Sequence, residues 1–191
     1  DITGSKATTG DVRARGNITT GAGVTTGSLT GVADIKDANA ACTKAYPSVA
    51  VTGSTVNGDV VGNVITVKGV AAADANHNAT PATVNGNITT YSNTDTTATK
   101  GLVTVGNTAT DGIANVTVGN ITAANAGSKI TVQQATASDK KTKSTTTVGS
   151  LTGFAPQKTG DTTEVDFTNY AGSFASLPNF TTVNVDANSD V

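Results

Sequence analysis

The residue types that perform most enzyme chemistry are scarce in this chain. His77 is the single histidine and Cys42 the single cysteine among 191 residues. A nucleophilic triad needs a base beside its nucleophile, and a zinc site needs several Cys or His ligands at short spacing. His77 lies between two asparagines, which is typical of a solvated loop. We therefore expect no catalytic residue, no metal site and no cofactor, and predict that the protein is not an enzyme.

Carboxylates that lie close together in the sequence are the next candidates for chemistry. One cluster contains Asp161, Glu164 and Asp166, and a second runs from Asp186 to Asp190. Paired carboxylates can hydrolyse glycosides or bind calcium, but neither cluster has the ligand spacing of an EF-hand loop. Solubility is the simpler explanation for both clusters.

Glycosylation is the third chemistry that the residues allow. Six Asn-x-Thr sequons occur, although a chain so rich in Asn and Thr contains several by chance. The candidate glycosylation sites are Asn17, Asn78, Asn87, Asn115, Asn120 and Asn179. They would be modified only in a secreted protein.

Small and β-branched residues dominate the composition and predict an all-β fold. Hydrophobic residues make up 36% of the chain and charged residues 14%, while Thr alone fills about a fifth of the positions. Thr and Val are stiff at χ1 and fit a pleated sheet, whereas good helix formers such as Glu and Met are nearly absent. Helix is therefore expected to be minor.

Charge and hydropathy exclude two classes of partner. The net charge is −2, the basic residues are scattered and aromatic residues make up 4% of the chain, so we expect no nucleic-acid partner. No apolar run is long enough to span a bilayer. A chain that starts at Asp1 without a signal peptide is typical of a secreted protein processed at its N-terminus. We therefore expect an extracellular or cell-surface location.

Short runs of alternating apolar residues recur from end to end and predict ten or slightly more strands. Examples are Val64–Val67, Leu102–Val105 and Val116–Val118. Asp111-Gly112, between two Val-rich runs, predicts a β-hairpin turn. The chain is long enough for one β domain with a buried core.

A motif of Gly, a small polar residue, Ile or Leu, and Thr recurs along the chain. It occurs at Gly16–Thr19, Gly27–Thr30, Gly86–Thr89, Gly119–Thr122 and Gly149–Thr152. The spacing is near thirty residues from Gly27 onward but is not constant, so two folds remain open. We predict a β-sandwich, with a β-solenoid as the alternative.

The first eighteen residues form a two-faced extended segment. Most even positions are apolar or small and most odd positions are polar. Such a segment either forms the first strand of its own domain or adds to the open sheet edge of another subunit. We predict that residues 1–18 are a donor strand and residues 19–191 a single β domain. The side chains expected to enter the neighbouring subunit are Ile2, Val12, Ala14 and Ile18.

Several of these features together resemble pilins that polymerise by donor-strand exchange. They are the Ala, Gly, Thr, Val and Asn bias, the scarcity of aromatic residues, the two-faced N-terminal segment and the stretch Asn39–Cys42 before a strand. The resemblance implies an incomplete immunoglobulin-like β-sandwich that the donated strand of the next subunit completes. Bacterial pilins pair two cysteines, whereas Cys42 is alone, so an archaeal or otherwise chaperone-free filament fits better.

We therefore expect a structural subunit of a self-assembling extracellular filament or surface layer, used for adhesion or cell contact. Its partners would be identical subunits, and also surface glycans or neighbouring cells. The alternative is a β-solenoid binding module, such as a phage or pilus-tip fibre segment or an ice-binding protein. Regularly spaced threonines on a solenoid can match an ice lattice or a carbohydrate, but no Thr-x-Thr pattern recurs here at a constant period.

Overall fold

The computed structural model of the protein describes residues 1–4, 7–31, 48–74, 77–90, 101–137 and 142–191. All of its regular elements within these ranges are β-strands. The strands in chain order are β1 (Val12–Ala14), β2 (Ile18–Thr20), β3 (Thr25–Thr26), β4 (Leu29–Gly31), β5 (Ser48–Thr52), β6 (Thr55–Val56), β7 (Val60–Gly62), β8 (Val64–Lys68), β9 (Ala82–Val84), β10 (Ile88–Thr90), β11 (Leu102–Val105), β12 (Val116–Thr122), β13 (Ser128–Gln133), β14 (Thr146–Thr152), β15 (Thr163–Thr168) and β16 (Thr182–Val185). The prediction of strands without helix therefore holds for the described residues.

The strands form two parallel sheets, one of nine strands and one of seven. The order in the second sheet is β16-β15-β13-β11-β8-β5-β2, so its neighbours come from successive passes of the chain. Every pairing between named strands is parallel. A chain that returns each time to lie beside its previous pass is a β-solenoid.

The nine-stranded sheet is divided by a corner, so each coil of the solenoid has three faces. Within β12, the buried residues Val118 and Ile121 are three positions apart, whereas a flat strand alternates with a period of two. Residues 116–118 pair with β9, and Ile121 and Thr122 pair with β10. We call the three faces face 1 (β3, β6, β9 and residues 116–118 and 146–148), face 2 (β1, β4, β7, β10 and residues 121–122 and 151–152) and face 3 (β2, β5, β8, β11, β13, β15 and β16).

The core consists of columns in which each coil places a similar side chain on its neighbours. One column on face 3 contains Ile18, Val49, Ile65, Val103, Ile130 and Val165, all of them buried. Each such aliphatic side chain stabilises the fold by about 1.5–3 kcal/mol. The last coil closes the core with aromatic rings. Phe167 lies 5.5 Å from Tyr170 and 5.6 Å from Phe174 between ring centroids.

A row of glycines lies at the corner between faces 1 and 2. Gly27, Gly58, Gly86, Gly119 and Gly149 each pack against the preceding coil. A Cβ on Gly119 would collide with the carbonyl oxygen of Gly86, which is fixed backbone. Gly10 occupies the same corner in the first coil, and a Cβ there would meet nothing within 4 Å. These glycine positions therefore exclude a side chain wherever a coil lies beneath them.

The predicted immunoglobulin-like β-sandwich is wrong. That fold packs two antiparallel sheets, whereas the strand pairs here are parallel. No sandwich is therefore present for a donated strand to complete. The arrangement is that of the alternative, a β-solenoid.

The four side chains of the expected donor strand lie in the first turns of their own chain. Ile2 forms a bridge to Thr20, Val12 and Ala14 belong to β1, and Ile18 pairs with Val49. Ile18 is buried and the other three are half-buried. Whether they also contact another subunit stays a prediction.

The hairpin predicted at Asp111-Gly112 is also absent. Gly112 does have a positive φ of 79°, as a turn requires. The strands on either side of it, however, belong to face 3 and face 1 and do not pair with each other. The turn thus connects two faces of the solenoid.

Replacing a corner glycine should destabilise the fold only where another coil lies beneath it. We expect Gly119→Ala to lower the free energy of unfolding by about 1–3 kcal/mol, the usual cost of forcing atoms into a packed site. Gly10→Ala is the matched control and should cost much less. Thermal or urea denaturation measures both variants. Equal losses would show that the glycines are needed for backbone conformation rather than for close packing.

Candidate binding surface

Among the described residues, the few side chains with catalytic potential do not come together in one cluster. His77 is exposed and its Nδ1 lies 2.7 Å from Asp74 Oδ1. The part of the chain that the structure describes contains no group of three or more His, Cys, Asp or Glu that could hold a metal ion. Cys42 and the stretch Asn39–Cys42 lie outside the described residues. The candidate site must therefore be sought on the faces.

Face 1 presents an unbroken column of threonines, one in each coil. The pairing register places them directly next to one another. In order along the solenoid they are Thr8, Thr25, Thr55, Thr83, Thr117 and Thr147. Adjacent strands lie about 4.8 Å apart, so six coils give a column about 24 Å long.

These hydroxyl groups are available to an external partner. Thr8, Thr117 and Thr147 are exposed and the other three are half-buried. None of the six side chains has a hydrogen bond to a described residue. Threonines that point into the solenoid behave differently, since Thr20 Oγ1 lies 2.6 Å from Ser54 Oγ and Thr90 Oγ1 donates to Asn125 Oδ1 at 2.9 Å. The outward hydroxyl groups are thus available for hydrogen bonds to another molecule, whereas the inward hydroxyl groups already form hydrogen bonds within the solenoid.

Face 2 continues the same surface beyond the corner. Its outward column contains Arg13, Thr30, Val61, Thr89, Thr122 and Thr152, again in register. The four threonines are the last residues of the Gly-polar-Ile/Leu-Thr motif that recurs in the sequence. Gly16–Thr19 shares the motif but leads into β2 on face 3 instead.

Polar side chains at the corner bond one coil to the next. Ser28 N donates to Asp11 Oδ1 at 2.7 Å, and Asn87 N donates to Asp59 Oδ1 at 2.7 Å. Farther along, Asn120 Nδ2 donates to Asn87 Oδ1 at 3.1 Å and Ser150 Oγ donates to Asn120 Oδ1 at 2.8 Å. These bonds fix the positions of neighbouring coils and therefore the spacing of the threonines on either side.

No insertion interrupts this part of the solenoid. From β3 to β14 the corner between faces 1 and 2 is always two or three residues long. In the described ranges long connections occur only at the other two turns, for example residues 153–162 between faces 2 and 3, and residues 106–115 between faces 3 and 1. We call the outward columns of faces 1 and 2, with the corner between them, the threonine surface.

Polar contacts of Asn107 and Asp111 hold the turn between β11 and β12, and we call them the polar anchor. The buried side chain of Asn107 accepts from Gly69 N at 2.9 Å and donates to Gly112 O at 3.0 Å. Lys68 Nζ donates to Asp111 Oδ1 at 2.8 Å, and this bond, with others from Thr108, lowers the pKa of Asp111. The anchor sets where β12 begins and so places Thr117 in the column.

In the cluster of Asp161, Glu164 and Asp166, the last two lie on face 3 and form ion pairs with Lys129. Lys129 Nζ donates to Glu164 Oε1 at 3.0 Å and also contacts Asp166. Burial opposes ionisation of Asp166, but hydrogen bonds from Lys129 and Asn184 outweigh it and lower its pKa. Asp161 instead accepts backbone N–H groups of Gln157 and Lys158 within its own turn.

The six sequons fall into three pairs. Asn17 and Asn115 accept backbone hydrogen bonds from the next coil, while Asn87 and Asn120 belong to the corner ladder. The remaining two, Asn78 and Asn179, are exposed and lie outside the strands. A glycan on Asn87 or Asn120 would stand between the two threonine columns, so modification there would cover the threonine surface.

Comparison with protein-family models, curated proteins and solved structures finds no match for this chain. In the described ranges no helix is long and apolar enough to cross a membrane. Function must therefore be argued from the surface itself.

Acid should weaken the polar anchor. The pKa of Asp111 is lowered from its ordinary 3.8, so its contribution to stability is complete above that value and is lost as pH falls below it. We expect the free energy of unfolding to decrease as pH falls through about 4, and Asp111→Asn to reduce both the stability at pH 7 and the steepness of the decrease. Urea denaturation at a series of pH values tests this. An unchanged slope in Asp111→Asn would assign the acid sensitivity to other carboxylates.

Proposed function

We propose that the protein is a β-solenoid binding module whose threonine surface binds flat, ordered arrays of hydroxyl groups. Ice and crystalline polysaccharides have this chemistry. The observation that carries the proposal is the face 1 column of six threonines in register. A column of equally spaced, identical side chains complements a surface that is itself periodic.

The properties of the column favour a rigid partner. Thr is β-branched, so its hydroxyl and methyl groups keep nearly fixed directions and lose little entropy on binding. Coil-to-coil bonds at the corner hold the spacing at about 4.8 Å, so the hydroxyl groups repeat at a regular interval along the column. Both the hydroxyl and the methyl group are presented in every coil, which combines hydrogen bonding with apolar contact.

Other ligand classes fit the surface less well. Soluble sugars commonly stack on aromatic rings, whereas Phe167, Tyr170 and Phe174 pack together in the last coil away from the threonine surface. Arg13 is the one basic side chain in the two columns, so phosphate-rich partners are not favoured. The surface consists of two columns in register on either side of the corner, and a regular column suits an extended, periodic solid.

A role as filament subunit or fibre segment is compatible with this proposal but depends on different residues. The solenoid would then act as a rigid spacer, and its sides would remain free to bind. Extracellular location and a processed N-terminus stay predictions.

The experiment compares two double variants that differ only in the face they alter. Thr83→Lys with Thr117→Lys changes neighbouring positions of the face 1 column, and Thr104→Lys with Thr131→Lys makes the same change at paired positions of face 3. Two lysines should hold a flat surface away from face 1, and a cost of about 1.4 kcal/mol already reduces binding tenfold. Incorporation into growing ice and co-sedimentation with crystalline cellulose or chitin measure binding. Thermal unfolding checks that both variants fold.

We expect the wild-type protein and the face 3 variant to bind one of these solids and the face 1 variant to lose binding. Ice incorporation alone identifies ice as the partner, and co-sedimentation alone identifies a polysaccharide. Equal losses in the two variants, or no binding by the wild-type protein, would contradict the proposed function.

A further inference from the structure

The C-terminal end of face 3 leaves core positions uncovered. β16 is the last strand of its sheet, and no described residue pairs with its second edge. Val183 and Val185 continue the core columns of Val165 and Phe167, yet they are 45% and 50% exposed. An exposed strand edge with apolar side chains at core positions is a template for further pairing.

The N-terminal end of face 3 has a free strand edge that could pair in parallel with β16. Ile2 N donates to Thr19 O at 2.8 Å and Ile2 O accepts from Gly21 N at 2.9 Å, so one edge of this segment is paired. Its other edge meets no described residue, and the Ile2 side chain is half-buried. One continuous series of paired residues runs from the first coil to the last. Its members are Ile2, Thr20, Val51, Val67, Val105, Val132, Phe167 and Val185.

The two ends also differ in charge. None of the 12 basic residues follows Lys158, whereas five of the 14 acidic residues do. They are Asp161, Glu164, Asp166, Asp186 and Asp190. Both arginines of the chain, Arg13 and Arg15, lie in the first coil. The residues after Lys158 therefore carry five negative charges and no positive ones, whereas residues 1–20 carry a net charge of +1, from Lys6, Arg13 and Arg15 against Asp1 and Asp11.

We propose that copies of this chain stack end to end, with the free edge of β16 in one copy pairing in parallel with the Ile2 segment of the next. Strand direction is the same at both ends, and the shared column places Ile2 of the second copy directly on Val185 of the first. Opposite charges at the two ends favour this order over like-end contacts. Because the contact joins two different patches, it repeats and produces a rod.

The contact is confined to face 3. Phe174, Leu177 and Phe180 pack against the core in the last coil. This irregular segment, residues 169–181, occupies the places of faces 1 and 2 there. A small, charge-assisted contact of this kind should be reversible and sensitive to salt. Stacking also leaves the threonine surface exposed along the rod, so the two proposals do not depend on each other.

Sedimentation velocity of the 191-residue chain at low and high ionic strength tests the association. We expect species larger than the monomer at low salt, increasing with protein concentration, and dissociation in about 1 M salt, where the Debye length is about 3 Å. Val185→Asp should weaken association at least about tenfold, because it places a charge in the contact. Leu102→Asp is the matched control, since Leu102 is 40% exposed on the side of face 3 rather than at its end. It should associate like the wild type.

Cysteine cross-linking tests the register. In a Cys42→Ser background, Ile2→Cys with Val185→Cys should give a ladder of disulfide-linked oligomers, because paired residues of adjacent parallel strands are about 4.8 Å apart. Val12→Cys with Val185→Cys is the control, because Val12 lies at the same end but on face 2. A monomer at every concentration in low salt would overturn the proposal, as would equal effects of Val185→Asp and Leu102→Asp. A ladder equally strong in both cysteine pairs would overturn the assigned register.

Discussion

The structure depends on parallel, in-register pairing of each coil with the next. A single coil cannot bury its own apolar side chains, so every inward position must meet a similar residue above and below it. The register is most tightly constrained at the corner. Glycine backbones are in contact there, and hydrogen bonds such as that from Asn120 to Asn87 link the coils. The same pairing that aligns the core also aligns the outer side chains. Columns of identical outward residues are therefore a product of the fold whenever the sequence repeats them.

The sequence predicted strands and the corner motif but not their arrangement. Alternation with a period of two is the same for parallel and antiparallel strands, so runs such as Val64–Val67 could not exclude a sandwich. The repeated motif at Gly27, Gly86, Gly119 and Gly149 did mark the corner and the face 2 threonines. Variable connections hid the face 1 column, because an insertion such as residues 69–81 changes the spacing in the chain without changing the register in space. A search at constant period therefore missed it.

The sequence also could not separate two roles of threonine. Thr20 and Thr90 point inward and satisfy polar partners from neighbouring coils, whereas Thr83 and Thr117 point outward without a bond to any described side chain. Both kinds occupy strands with similar neighbours in the sequence. Only the direction of each side chain relative to the corner distinguishes them, and that direction follows from register. Threonine columns of this type become recognisable once the coils are aligned, and the aligned signal is Thr two or three positions before each corner glycine.

The requirement for a stable fold explains the short, closely packed corner, but it does not explain the threonines of face 1. A long insertion at the corner would separate Gly119 from Gly86 and break the polar ladder, whereas long connections are accommodated at the other two turns. The uninterrupted threonine surface is thus a consequence of packing. Packing does not, however, require a hydroxyl at an outward strand position, where Val and Ile have equal or better β-propensity. Val61 on face 2 shows that the solenoid accepts an apolar residue there. Six hydroxyl groups in register, without a hydrogen bond to a described residue, are therefore a property that the fold permits and does not need, which is why we propose a function for them.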